Sequence, residues 1–102
     1  MRGQNQYDNP KPKVFSSFDT SFTNGDSPAT LDLNATLSRN SIDGYVKNSG
    51  SNRFTFQTSS DGSTFNSAIN LNAGETFSTR SMDIDSIKIT WVADTGYEVL
   101  GL

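Results

Sequence analysis

The sequence predicts an all-β protein: a single antiparallel β-sandwich or jelly roll of about eight short strands over residues 14–102, preceded by an extended N-terminal arm. Two observations support this fold class. Ser, Thr and Asn make up 36 of the 102 residues, and these residue types are typical of turns and of solvent-facing strand positions. Short stretches in which apolar and polar residues alternate recur about every ten residues, with Gly, Asn, Asp or Pro between them. No stretch combines the helical period of about 3.6 residues with capping residues, so we expect essentially no α-helix.

Residues 1–13, MRGQNQYDNPKPK, form the predicted arm. Its two prolines restrict the backbone to extended geometry, and a disordered tail is the alternative interpretation. The arm is basic although the whole chain has a net charge of -3, which is the reverse of the charge expected for a nucleic-acid-binding domain. A fully extended segment of this length spans roughly 40 Å, enough to reach a neighbouring subunit. The candidate partner-binding residues of the arm are Arg2, Tyr7, Pro10, Lys11, Pro12 and Lys13.

The first half of the domain contains three predicted strands. The alternation of KVFSSFDTSFT, counted from Val14, predicts a half-buried strand that ends at the turn NGDSP. ATLDLNATL alternates most regularly and predicts a second strand, with Leu33 and Leu37 on its buried face. IDGYVK predicts a third strand with Ile42 inward and Tyr45 outward.

The second half begins with FTFQTSSDGSTFNSAINL, residues 54–71, which predicts two strands joined by a tight hairpin in which Gly62 takes a positive φ. NAGE predicts the next turn, and GETFS predicts a short strand. IDSIKITWVAD predicts a strand with Trp91 inward, and ADTG predicts a last hairpin.

The closing segment YEVLGL carries Val99 and Leu100 on opposite faces, and one core cannot bury both. The candidate oligomer-interface residues are therefore Tyr97, Leu100 and Leu102. The predicted core consists of Phe18, Leu33, Leu37, Phe54, Phe56, Ile69, Leu71, Ile87, Ile89 and Trp91.

The residue types that usually perform catalysis are scarce. The chain contains no His and no Cys, which excludes Ser-His triads, thiol nucleophiles and ordinary zinc sites. Asp83 and Asp85 would share one strand face, but two carboxylates supply too few of the roughly six oxygens that calcium requires. The Asp and Asn residues of SSDGS and TNGDS are explained by turn formation. We therefore expect no enzymatic activity, no catalytic or metal-binding residue and no cofactor.

Residues 44–102 resemble small β-sandwich virion proteins of tailed bacteriophages, such as capsid decoration (cement) and head-fibre proteins. The resemblance lies in a strand ending in S-x-DG, in INLNAGE, and in IKITW followed by YEV. It implies a non-enzymatic structural protein that binds the major capsid protein or another virion protein and self-associates, commonly as a trimer, without nucleic acid or membrane. Because MRGQNQYDNP lacks the apolar segment of a signal peptide, we expect synthesis in the host cytoplasm followed by assembly into the virion.

A second resemblance implies a different function. FQTSSDGSTF, residues 56–65, is similar to a strand pair of discoidin-like carbohydrate-binding domains. The chain lacks the exposed Trp and the Arg or His residues that grip sugar in those domains. The alternative function is a carbohydrate-binding adhesion domain of a phage tail or fibre, with the glycan near Tyr45 or the loop of residues 59–63.

Overall fold

The computed structural model describes the backbone of residues 14–22 and 27–102, and the side chains of residues 14–17 and 27–102. Eight antiparallel strands form two four-stranded sheets that pack as a sandwich, which confirms the predicted fold class. In chain order the elements are β1 (Phe15–Phe22), β2 (Ala29–Asp32), α1 (Leu33–Leu37), β3 (Gly44–Asn48), β4 (Phe54–Ser59), β5 (Ile69–Leu71), β6 (Thr76–Ser78), β7 (Ser86–Trp91) and β8 (Thr95–Gly101).

The first sheet has the strand order β1-β8-β3-β6 and the second has the order β2-β7-β4-β5. β7 and β8 follow one another in the chain but belong to different sheets, so the predicted hairpin at ADTG is wrong. The exposed residues 92–94 instead carry the chain from one sheet to the other. A short polar connection of this kind serves a hairpin and a crossing between sheets equally well, so its composition does not distinguish them.

The core lies between the two sheets. The predicted core residues found buried are Leu33, Leu37, Phe54, Phe56, Leu71, Ile87, Ile89 and Trp91. Ile69 is half-buried and packs against this core, and the side chain of Phe18 lies outside the described residues. The rings of Phe56 and Phe77 meet edge to face across the two sheets, with 5.1 Å between their centroids. The core also contains Phe15, Val46, Ile84, Tyr97 and Val99.

The second predicted strand is wrong in its latter half, because LNATL forms the short helix α1. Leu33 and Leu37 are four residues apart, a spacing that suits one face of a strand and one face of a helix equally well. Local hydrogen bonding decides between them: the Asp32 side chain caps the helix by accepting from the Ala35 N–H at 3.0 Å. Ser38 then ends the helix in the left-handed region, at φ 59°. Both leucines are buried as predicted.

Two other assignments are wrong by a local shift. Among the side chains described at the start of β1, that of Phe15 is buried, whereas Ser16 and the preceding Val14 are exposed, so over residues 14–16 the buried face is offset by one residue from the predicted one. Ile42, predicted to point inward, is 60% exposed. The reason is that β3 begins only at Gly44, where a φ of 138° interrupts the alternation counted from Ile42.

The strand pair of residues 54–71 forms, but not as a tight hairpin. Phe54 pairs with Leu71 and Phe56 with Ile69, and a long loop joins β4 to β5. Gly62 adopts the predicted positive φ, at 81°. Phe65 lies in the loop, where the Nζ of Lys88 sits 4.5 Å from its ring centroid.

Candidate interaction surface

Three of the large apolar side chains exposed in the described residues lie at one end of the first sheet. Val14 is 46% exposed, Ile42 60% and Leu102 37%. Backbone hydrogen bonds join two of them, since the Ile42 N–H donates to the Leu102 carbonyl at 2.9 Å. Val14 lies near Leu102 on the β1 side, because Val14 directly precedes Phe15 and Leu102 directly follows Gly101, and Phe15 pairs with Gly101. Exposed apolar side chains thus gather where β1 begins and β8 ends.

Leu100 extends this group along the outward face of the sheet. It is half-buried and pairs with Tyr45 on one side and with Ser16 on the other. Because side chains alternate along a strand, Leu100 and Leu102 share a face, opposite the buried Val99. We define the apolar patch as Val14, Ile42, Leu100 and Leu102.

A polar pair borders the apolar patch. The hydroxyl of Tyr45 donates a 2.7 Å hydrogen bond to Oε1 of Glu98, which pairs in the ladder with Lys47. The hydrogen bond to the Glu98 carboxylate, with desolvation and the carboxylate charge as smaller contributions, raises the pKa of Tyr45 above 10.0. The outward face therefore combines an apolar end with a phenol, a carboxylate and an ammonium farther along the strands.

The three candidate interface residues occupy different environments. Tyr97 is only 7% exposed, and its hydroxyl lies 3.1 Å from the hydroxyl oxygen of Ser17, so its ring belongs to the core of its own chain. Leu100 and Leu102 lie in the apolar patch. Sequence reasoning missed Val14 and Ile42, because their proximity to Leu102 depends on which strands pair. The candidate residues of the arm, Arg2, Tyr7, Pro10, Lys11, Pro12 and Lys13, lie outside the described residues.

The SSDGS loop is organised by its own hydrogen bonds. The Asp61 carboxylate accepts from the backbone N–H groups of Ser63 and Thr64, both at 2.8 Å, and from the Ser59 hydroxyl at 3.0 Å. These bonds, those from the Thr64 and Ser63 N–H groups foremost, lower the pKa of Asp61 below 3.8. The arrangement is that of a turn in which the aspartate satisfies the backbone donors.

Each of the two carboxylates singled out in the sequence has its own hydrogen-bond partner. Asp83 accepts from Nδ2 of Asn40 at 2.9 Å, and Asp85 accepts from the Ser86 hydroxyl at 2.6 Å. Ile84 between them is fully buried and bridges to Ser41, which fixes the segment as a structural connection. Within residues 14–22 and 27–102, no three carboxylates gather closely enough to hold a metal ion.

A second apolar feature lies at the other end of the sandwich. A shallow depression of about 400 Å³ is lined by residues 52–55 and 90–93, and Val92 at its rim is 85% exposed. Trp91, whose ring would be needed to stack on a sugar, is only 4% exposed. Val92 is the large apolar side chain exposed at this depression, whereas the apolar patch joins several such side chains.

Comparison with protein-family models, with curated proteins and with solved structures finds no match to this chain. In the part of the chain that the structure describes, no helix has the length and apolar character needed to cross a membrane.

Proposed function

We propose that this protein is a non-enzymatic structural protein of a tailed-bacteriophage virion, which decorates the capsid by binding neighbouring major capsid subunits. The observation that supports binding to another protein is the apolar patch, because it brings exposed leucine, isoleucine and valine side chains together at one end of the first sheet. The virion assignment is supported by the resemblance of residues 44–102 to small phage β-sandwich proteins.

The apolar patch would contribute to binding through the removal of its apolar surface from water, which does not require a particular sequence in the partner. Each Å² of apolar surface removed from water contributes about 25 cal/mol, so several half-exposed aliphatic side chains form a useful anchor without further chemistry. Tyr45, Glu98 and Lys47 border the anchor and supply polar groups of the kind found at an interface rim.

The basic arm would add an electrostatic contribution to the same contact. It precedes Val14, a member of the apolar patch, so an arm that leaves the domain there reaches the surface on which the patch docks. Arg2, Lys11 and Lys13 would then make binding weaker as salt concentration rises, while the two prolines lower the entropy lost when the arm is ordered.

The test is cosedimentation with virions of the phage whose genome encodes the chain, after stripping and add-back of the protein. Ile42→Asp should reduce binding roughly tenfold or more, because it places an unpaired charge in a contact that excludes water. Val92→Asp is the matched control, since Val92 is the more exposed residue but lies at the other end of the molecule. Equal binding of the two variants would contradict the proposal.

The rival proposal is a carbohydrate-binding domain of a tail or fibre, favoured by the exposed Asp61 loop and by Tyr45 on the outward face. Deletion of residues 2–13 separates the two proposals. A decoration protein should lose particle binding while the sandwich stays folded, whereas a sugar-binding domain would keep its glycan affinity. A glycan-array signal that is lost in Tyr45→Ala would favour the rival.

A further inference from the structure

The four edge strands of the sandwich differ sharply in length. β2, β5 and β6 contain four, three and three residues, whereas β1 contains eight. Natural sheets protect their edges with short strands, prolines or lysines, because an open edge pairs readily with another strand. The sequence of β1, FSSFDTSF, contains neither proline nor lysine. Within residues 14–22 and 27–102, β1 pairs only with β8, on one of its two sides.

The hydrogen bonds of β8 show which of its backbone groups face β3. The Leu102 N–H donates to the Asp43 carbonyl at 2.9 Å, and the Gly96 carbonyl accepts from the Ser49 N–H at 3.1 Å. In an antiparallel strand the N–H and C=O of one residue point to one neighbour, and those of the next residue point to the other. The backbone N–H and C=O groups of the even-numbered residues of β8 therefore point to β3, and those of the odd-numbered residues point to β1.

The same alternation identifies the open groups of β1. Ser17 pairs with Val99, an odd-numbered residue of β8, so the backbone groups of Ser17 belong to the β1–β8 ladder. The N–H and C=O of Ser16 consequently point to the open edge, and Ser16 is exposed. Over residues 15–19, where the register with β8 is regular, the open edge thus presents backbone donors and acceptors in the spacing that an antiparallel strand requires; the register shifts between Asp19 and Phe22, so the proposed pairing concerns the first half of β1.

We infer that β1 binds β1 of a second copy of this chain, antiparallel across a two-fold axis, and joins the two first sheets into one sheet of eight strands. The partner strand is a second copy of β1, because in an antiparallel β1–β1 pair related by a two-fold axis each donor of one strand meets the matching acceptor of the other. The strand carries one charge, that of Asp19, so few like charges oppose the pairing.

The proposed dimer has a geometric consequence. A two-fold axis that relates antiparallel strands of one sheet is perpendicular to the sheet, so both apolar patches lie on the same face. The dimer would present twice the apolar area on one side. This two-fold pairing differs from the trimer that the resemblance implies. It is argued from the backbone of β1 and does not depend on whether the protein binds a capsid.

The test compares proline substitutions at two open edges by sedimentation over a series of concentrations. Ser16→Pro removes an N–H that the β1–β8 ladder does not use. Thr76→Pro is the matched control at the opposite edge of the same sheet. The N–H of Thr79 bonds to the Gly44 carbonyl, and Thr76 lies three residues before Thr79. Because the direction of the backbone groups alternates along the strand, the N–H of Thr76 points away from β3, to the open edge.

The unaltered chain should sediment at micromolar concentration with twice its mass of 11.1 kDa. Ser16→Pro should raise the dissociation constant of the dimer roughly tenfold or more, and Thr76→Pro should leave it unchanged. Hydrogen exchange on the unaltered chain gives a second readout that needs no variant: the Ser16 amide should be protected in the dimer and should exchange faster on dilution. A monomeric or trimeric mass, equal effects of the two prolines, or a Ser16 amide insensitive to dilution would each overturn the inference.

Discussion

Asn48 shows how a single polar side chain ties the two sheets together. It is fully buried in β3, and its Nδ2 donates to the carbonyls of Asn52 and Leu71, each at 2.9 Å. Its Oδ1 accepts from the Gly50 N–H at 3.0 Å and from the Thr95 hydroxyl at 3.2 Å. All four hydrogen-bonding positions of the amide are used, and the partners come from both sheets and from the loop between β3 and β4.

Asn48→Ala should therefore lower the free energy of unfolding by about 3 kcal/mol, because it removes a fully buried side chain and leaves the buried Leu71 carbonyl and the partly buried Gly50 N–H without their Asn48 partner. The measurement is urea denaturation at neutral pH. Asn70→Ala is the control, since Asn70 is an exposed residue of β5 and its loss should cost no more than about 0.5 kcal/mol. Equal losses in the two variants would show that the Asn48 network does not stabilise the fold.

The hydrogen bond between Tyr45 and Glu98 predicts a dependence on alkaline pH. Because the folded state raises the pKa of Tyr45, it favours the neutral phenol, and this stabilisation is present below pH 10.0 and lost as pH rises through the higher folded value. Glu98→Gln should bring the Tyr45 transition back toward its ordinary value. Tyrosinate absorbance measures it, with Tyr45→Phe to identify the transition; an unchanged midpoint in Glu98→Gln would contradict the assignment.

At the scale of elements, β3 depends on a glycine at its first residue. Gly44 has a φ of 138°, and a Cβ built there would collide with the backbone carbonyl of Leu100 in β8. The close approach of these two strands thus requires a residue without a side chain. The same pairing brings Ile42, two residues earlier, beside Leu102.

Gly44→Ala should destabilise the protein by about 3 kcal/mol or more, since it adds a backbone collision to an unfavourable φ. Gly74→Ala is the matched control: its φ of 84° is also positive, but nothing lies within 4 Å of the added Cβ, so only the conformational cost of roughly 1 kcal/mol applies. Thermal unfolding of the two variants measures the difference. A Gly74→Ala variant as unstable as Gly44→Ala would show that φ alone explains both.

Strands such as β4 and β7 were predictable from sequence, because large apolar residues alternate with polar ones over all six positions of β7 and over the first half of β4. The helix α1 was not predictable from that pattern. The spacing of Leu33 and Leu37 fits both a strand and a helix, and the hydrogen bond by which Asp32 caps the helix decides between them. The residue Ile84, between two aspartates, was overlooked because a lone apolar residue has no period of its own.

At the scale of the whole molecule, half of the candidate surface could be predicted. Leu100 and Leu102 follow from a strand that carries apolar residues on both faces. Val14 and Ile42 do not, because each lies just outside a strand, and only the pairing of β1 and β3 with β8 brings them together. The alternation of a sequence assigns a residue to a face; it does not say which strand lies beside it.

We propose that the outward face of the first sheet, with the apolar patch at its end, is the protein-binding surface of this molecule. The most direct measurement is an electron cryo-microscopy map of the proposed virion, into which the sandwich is docked. We expect Ile42 and Leu102 to lie against a neighbouring chain in this map. A map in which this face points to solvent, with the domain held instead by the end that carries Val92, would contradict it.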